Sequence, residues 1–564
     1  MRFSDMPYIR PDKDLLEEQI AEQLELLQST DFSTADGAFV ALEKIFSGVQ
    51  TAVSLCYIRH SINTEDAFYA AEQEYLDETM PELEQLQQTV YGALAACPCQ
   101  KEFESKYGSL MFTNISIRLR SFSAELIPSM QEENKLTTAY EKLLASAQIP
   151  FEGEVLTLVQ LGPYQQSTDP MMRKKAWLAA AGFYTEHRQE LDDIYDGLVK
   201  LRTKMGRQMG YENYIPLGYD RMERNCYTKE DVQAFRQAIV DYVVPVADRL
   251  YRQQAERLHR PYPLSYADTT PRFLSGNPKP QGTAEDILAA GKKFYHELSP
   301  ETSAFIDGMF ENQLMDVLSR KGKAGGGYCT DIPDYHCPFI FANFNGTQGD
   351  VEVLTHEGGH AFAGYTARDI FPPENQSPTM ESCEIHSMSM EFFAWPWAEA
   401  FFGPEADKYR YSHLMGAITF LPYGAMVDHF QHIVYEQPDL TPEKRHEKWA
   451  ELTAIYMPWI KLDMPFWGEG RAWQRQSHIY GMPFYYIDYC LAQSVALQFW
   501  ALMQEDRAAA WQRYYGLVRL AGTKTYRELV LSAGLTDPFR PEGLKAACAA
   551  ATKWLDRQDV TRFQ

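Results

Sequence analysis

Over residues 14–28 the chain reads DLLEEQIAEQLELLQ, with leucine and isoleucine returning every three or four positions and acids between them. That period lays the apolar side chains along one face and predicts an amphipathic helix. It returns over 67–95, 132–146, 171–209, 229–258, 284–298 and 508–521. Strand patterns are few. The clearest covers 339–344, within Pro338-Phe339-Ile340-Phe341-Ala342-Asn343-Phe344, with a candidate partner at 327–330. Proline and glycine at 260–263 and 275–282 predict surface loops inside a domain. No segment repeats at a fixed period, which disfavours a solenoid. The pattern predicts a mainly α fold with a small sheet, divided near residue 190 into a helical N-terminal part (1–190) and a larger second part (191–564) that holds the strand pattern.

With 564 residues and 45% hydrophobic content, the chain has ample material for a large core. A formal charge of −24 repels polyanions, so nucleic acid and anionic membrane are excluded as main partners. The longest near-apolar run, about 414–427, is broken by Pro422 and Gly424 and is too short to span a bilayer. The start, Met1-Arg2-Phe3-Ser4-Asp5-Met6-Pro7, has no apolar core and no small-residue cleavage site of a secretory signal. Nine cysteines without framework spacing then predict reduced thiols in a cytoplasm.

The chemistry concentrates at His356-Glu357-Gly358-Gly359-His360. On a helix, positions i and i+4 project from one face a turn apart. Two imidazoles so placed can hold a Zn²⁺, and the intervening glutamate can hold a water beside it. Residues 345–349 read as a turn after the strand, with Asp350 as the helix N-cap. A catalytic zinc takes a third protein ligand and keeps one position open. Downstream, in a second helical pattern over 379–393, Glu381, Glu384, His386 and Glu391 all qualify chemically. Glu384 and Glu391 lie about two turns apart on one stripe, so one can bind metal while the other supports the site. Gly358 and Gly359 weaken a helix by roughly 1 kcal/mol each, which predicts close approach of another element there.

The H-E-x-x-H motif followed by Glu384-Ile385-His386-Ser387-x-x-x-Glu391 resembles the thimet oligopeptidase and oligoendopeptidase F family of zinc peptidases. The oligoendopeptidase F and Pz-peptidase branch is the nearest. The resemblance covers roughly 195–560 well and the N-terminal part more loosely. It implies a large helical oligopeptidase fold with a deep substrate channel and a small sheet beside the zinc helix. It makes Glu384 the third ligand to one Zn²⁺ per chain, with Glu357 as general base. It also implies short unstructured peptides as substrates, cut at internal bonds.

Three further segments are read through the same resemblance. The Gly-rich stretch 322–329 resembles the family's flexible loop at the cleft, which points to Gly326, Gly327 and Tyr328 as substrate-binding. The strand over 339–344 stands where zincins have an edge strand, and such an edge binds extended peptide through main-chain groups, here at Phe341, Ala342 and Asn343. The cluster His478…Tyr485-Tyr486-x-x-Tyr489 looks like the family's source of oxyanion donors. Tyr485 and Tyr489, four residues apart on one helical face, rank with His478 as catalytic, ahead of Tyr486, which is expected among the substrate-binding residues. The competing expectation is a zinc carboxypeptidase-type exopeptidase on a related helical fold, which needs a dedicated group for a peptide terminus.

Overall fold

The computed structural model describes residues 1–563. The helices expected over 14–28, 67–95 and 284–298 are Lys13–Leu27, Ala67–Ala95 and Ala284–Leu298. Each opens on a side-chain cap: Asp12 accepts from the Leu15 amide, Asp66 from Phe68 and Tyr69, and Thr283 closes a capping box with Asp286. Two long periodic stretches each split in two. The stretch 171–209 becomes Pro170–Glu186 and Arg188–Gln208, and 229–258 becomes Lys229–Tyr242 and Val244–Arg257. The second break falls just before Pro245, which cannot donate to the preceding turn.

Two helices of 31 residues each, Phe32–Ile62 and Ala406–Glu436, do not follow the amphipathic pattern. Phe32–Ile62 is long and apolar enough to cross a bilayer by length and composition. In this fold it carries Ala35, Phe39, Leu42, Leu55 and Ile58 into the interior. Ala406–Glu436 is buried nearly all round and runs straight through Pro422 and Gly424. Gly424 is required by packing, because a Cβ there would collide with Cys490 Sγ. Cys490 belongs to Tyr486–Glu505, a helix whose middle is wholly buried. A helix apolar on every side has no moment to read, and only its neighbours decide its place.

A small core of Ile20, Leu27, Phe39, Leu42, Leu94, Phe103 and Ile115 sits within the N-terminal helices. The main core gathers residues from Met6 to Leu555. The sheet that flanks the motif has three strands in the order Met315–Leu318, Cys337–Phe344, Tyr328–Ile332. The first pairs parallel with the central strand, and the last pairs antiparallel with it. This corrects the expected edge. Cys337–Phe344 is central, both its sides are hydrogen-bonded, and Phe341 and Ala342 are fully buried. Phe341 is paired on both sides, and the carbonyl of Ala342, past the end of the pairing with Tyr328–Ile332, accepts from Lys323 Nζ. The outer strands, Met315–Leu318 and Tyr328–Ile332, each keep an unpaired side, and of the two it is Tyr328–Ile332 whose residues line the cavity over the motif.

Candidate active site

The motif lies on Gly349–Ala367, which follows the central strand. Asp350 does not cap this helix. It sits inside the first turn, and its carboxylate accepts from the amides of Asn345 (2.9 Å) and Gly346 (2.7 Å), fixing the strand-to-helix turn. The second helix, Met380–Phe393, packs against the first. Their closeness explains Gly359, and the helix Ala284–Leu298 explains Gly358. A Cβ on Gly359 would lie 2.7 Å from Ser387 Cα and from the His386 carbonyl oxygen, and one on Gly358 would collide with the Tyr295 hydroxyl. Backbone-to-backbone contact at this distance allows only glycine.

That contact brings Glu384 to the two motif histidines. Glu384 Oε2 lies 3.1 Å from His356 Nε2 and 3.3 Å from His360 Nε2. All three ligand atoms fall within 4.8 Å of one another. The ring orientation of His356 is set from behind. Its Nδ1–H donates to Glu391 Oε1 at 2.7 Å. Glu391 Oε2 accepts from His413 Nε2 at 2.7 Å, and His413 Nδ1 accepts from the Trp395 indole at 2.9 Å. In its neutral tautomer His356 then presents an Nε2 lone pair to carboxylate oxygen, two acceptors suited to a cation between them; without a cation, burial is outweighed by hydrogen bonds to Glu384 and Glu391, which hold the imidazole well above its ordinary value. The donor set of two imidazoles and one carboxylate fits a divalent metal such as zinc. Burial alone would push the Glu384 carboxyl up, but His360 and His356 hold it well below the usual carboxylate range.

Glu357 is buried beside this set, at 6% exposure. Burial raises its carboxyl above the ordinary value, against the opposing fields of His356 and His360. Gly327 packs over it: a Cβ there would meet Val353 Cγ1 at 3.2 Å and Glu357 Oε1 at 3.5 Å. Of the other acids considered for the metal, Glu381 bonds Thr379 and lies in the field of Arg224, away from the histidines. His386 is buried, and its carbonyl accepts from Tyr514. Burial drops its imidazole to about 3, so it stays neutral.

A cavity of about 810 Å³ opens over the histidines. Its wall includes Gly326, Gly327, Tyr328, Asn343, His478, Tyr485 and Tyr489, together with Tyr57, Tyr140 and Glu141 from the N-terminal helices. A second cavity of about 1220 Å³ continues from it, sharing Asp331, Gly364, Gln376 and Ser377. Together they form the deep channel. Tyr328 stacks on Phe341 with ring centroids 4.8 Å apart, so Phe341 supports the wall from beneath. Asn343 reaches the cavity, but its amide donates to the Ala324 and Gly326 carbonyls at 2.8 Å each and tethers the Gly-rich loop. Tyr486 does not line the cavity; it packs against Phe420, Tyr423 and His478. It is therefore removed from the substrate side.

The His478 segment forms a second chain of donors. The Tyr423 hydroxyl donates to Gln476 Oε1 at 2.9 Å, and Gln476 Nε2 donates to His478 Nδ1 at 2.8 Å. Burial depresses the His478 imidazole to about 4, leaving it neutral with its proton on Nε2. That proton points to the Tyr489 oxygen at 3.1 Å, so the Tyr489 hydroxyl keeps its own hydrogen to give. Tyr485 is engaged differently. Its hydroxyl donates to Glu384 Oε1 across 101 residues of sequence, a contact that no local pattern announces.

Two family profiles match the chain: the peptidase M3 N-terminal domain over residues 3–122 and peptidase family M3 over 278–547. Oligopeptidase PepF of Bacillus subtilis is 24% identical over 276 residues, covering 46% of this chain and 39% of that relative, so the match spans less than half of the relative's length. An oligoendopeptidase F homolog of Borreliella burgdorferi is 22% identical over 427 residues, 70% of this chain and 69% of that one. Among solved structures, Pz peptidase A with an inhibitor superposes with a TM-score of 0.98 at 44% identity, covering 99% of this chain and 100% of that one. Matching folds, whole-length identity and two profiles, the second spanning both helices of the site, agree: the chain belongs to peptidase family M3.

Proposed function

We propose that this protein is a zinc-dependent oligoendopeptidase, hydrolysing internal bonds of short unstructured peptides. The observation that carries the reading is the convergence of His356, His360 and Glu384 beside buried Glu357 at the base of a long channel. One Zn²⁺ per chain, held by those three side chains, would supply Lewis acidity, polarising an oxygen and lowering the pKa of water. Glu357 accepts the proton of the attacking water and returns it to the leaving amine. Tyr489 donates to the developing oxyanion, and His478 holds the Tyr489 hydroxyl in place from its other side. Tyr485 fixes the Glu384 carboxylate. The free edge of Tyr328–Ile332 receives an extended peptide by main-chain pairing. Helical walls around the channel exclude folded proteins. The nine thiols, all unpaired, suit a reducing cytoplasm.

The exopeptidase alternative is not favoured, since the relative matched over 70% of this chain is named an oligoendopeptidase F homolog. The test is an internally quenched peptide blocked at both ends. Cleavage at an internal bond, abolished by chelator and restored by Zn²⁺, is expected. Full activity in chelator with no transition metal by elemental analysis would refute the metal assignment, and inertness toward blocked peptides the endopeptidase assignment. The tyrosines separate by readout. Tyr489→Phe should lower kcat by about 10²–10³ with metal unchanged, the usual loss for one oxyanion donor. Tyr485→Phe should weaken zinc retention by about 10- to 100-fold, as expected for a group that orients a ligand. Tyr486→Phe should change neither.

A further inference from the structure

Three cationic side chains besides the histidines stand in the wall of the catalytic cavity: Arg320, Lys323 and Arg475. The first two are matched by the protein itself. Asp316 receives Arg320 through contacts of 2.9 and 2.8 Å, and Lys323 Nζ at 2.6 Å. Arg475 has no carboxylate within ion-pair distance among the described residues; the groups that set its field are the phenols of Tyr266, Tyr423, Tyr184 and Tyr486. Its side chain is accessible from the cavity.

The backbone of Arg475 belongs to the block that carries His478. It ends the short turn Ala472–Arg475, which leads directly into Ser477–Gly481, the helix that carries His478. Gln476, its neighbour, is the residue that orients His478. The turn is pinned to the N-terminal helices, because Tyr140 donates to the Gln474 carbonyl at 2.9 Å and stacks on Tyr480 with centroids 3.9 Å apart. A guanidinium presented on this block, in a wall of aromatic rings, offers a planar fork of donors matched to a carboxylate. Without a protein countercharge, its full charge is available to a ligand.

Building on the peptidase reading, we infer that Arg475 binds a carboxylate of the peptide substrate and so selects which bond lies over Glu357. Two sources present the same chemistry, the C-terminal α-carboxylate and an aspartate or glutamate side chain. Because the rest of the molecule is strongly acidic, preference for such a peptide must arise at contact, not from long-range attraction.

The test uses zinc-loaded holoenzyme and two pairs of quenched peptides. One pair differs only in a C-terminal acid or amide, the other only in an Asp or Asn within an amidated peptide. Wild type should prefer the carboxylate member of one pair by on the order of 10- to 100-fold in kcat/KM, the range for charge-assisted hydrogen bonds. The pair that responds identifies the source. In Arg475→Gln the ratio should collapse toward one, chiefly through loss on the carboxylate peptide. In Arg475→Lys part of the ratio should survive, since charge remains but the fork is gone. A ratio near one in wild type overturns the inference, as does an unchanged ratio in Arg475→Gln. Uniform loss on all four peptides gives that unchanged ratio and marks Arg475 as structural only. If zinc-loaded wild type cuts none of the four, the peptidase reading itself falls.

Discussion

Glu357→Gln should leave the protein folded and zinc-loaded while kcat falls by about 10²–10⁴-fold, the usual share of general acid–base catalysis. The substitution keeps the shape of the side chain in a tight place, with Gly327 packed over it. None of the three converging ligand atoms belongs to Glu357, so metal retention should be untouched. What is removed is an oxygen that can take a proton from water and pass it on. Steady-state kinetics on a blocked peptide, read beside metal content, decide the matter. Near-normal turnover would remove Glu357 from the role of base, and loss of zinc would reassign it to the metal.

Glu384→Ala should yield metal-free, inactive protein at ordinary zinc concentrations, whereas Glu381→Ala should keep its zinc. Both carboxylates are buried on the same helix, but they face different surroundings. Glu384 Oε2 meets both imidazoles, and its other oxygen takes the Tyr485 hydroxyl. Glu381 bonds Thr379 in the first turn. Removing Glu384 also strands the hydroxyl of Tyr485, a cost of about 1–3 kcal/mol for a buried group left unpaired, while Ser387 keeps the residue-384 carbonyl as acceptor. Circular dichroism should therefore accompany the elemental analysis, so that apo protein is told from unfolded protein. Glu391→Gln gives the intermediate case, because it loosens the ring of His356 without removing a ligand, and a zinc affinity lower by about 10- to 100-fold is expected. Retained zinc in Glu384→Ala would show the ligand assignment to be wrong.

The parts of this site that could be read from sequence are those set by local geometry. The i, i+4 spacing of His356 and His360 is a property of any helix. The two-turn offset of Glu384 and Glu391 already assigns one to the ligand and the other to support. The helices 67–95 and 284–298 announce themselves by period and cap. What escaped depends on distant partners. The order of the sheet turns on Met315–Leu318, a short parallel strand with no alternation to mark it, and its arrival makes the central strand central. The support for Glu391 comes from His413 and Trp395, and the hydroxyl on Glu384 from Tyr485; each contact exists only once Ala406–Glu436 and Tyr486–Glu505 are packed. Those two helices bury nearly every face, and so their sequences show composition where an amphipathic helix would show pattern.

The glycine pair in the motif has a consequence for how the enzyme moves. Because the two metal-bearing helices touch backbone to backbone at Gly359, the spacing between Glu384 and the histidines is set by main chain, which does not change rotamer. The floor of the channel is stiff in the sense that matters for a metal centre: its ligands are held at their stations before any ion or peptide arrives. The roof, by contrast, is the loop at 322–327: Gly322 and Ala324 are bonded to Thr64 and Ser61 through the backbone, and the glycines 325–327 are held by the Asn343 side chain alone, through the Gly326 carbonyl. Strain from threading a peptide can be taken up by the roof and need not be transmitted to the metal.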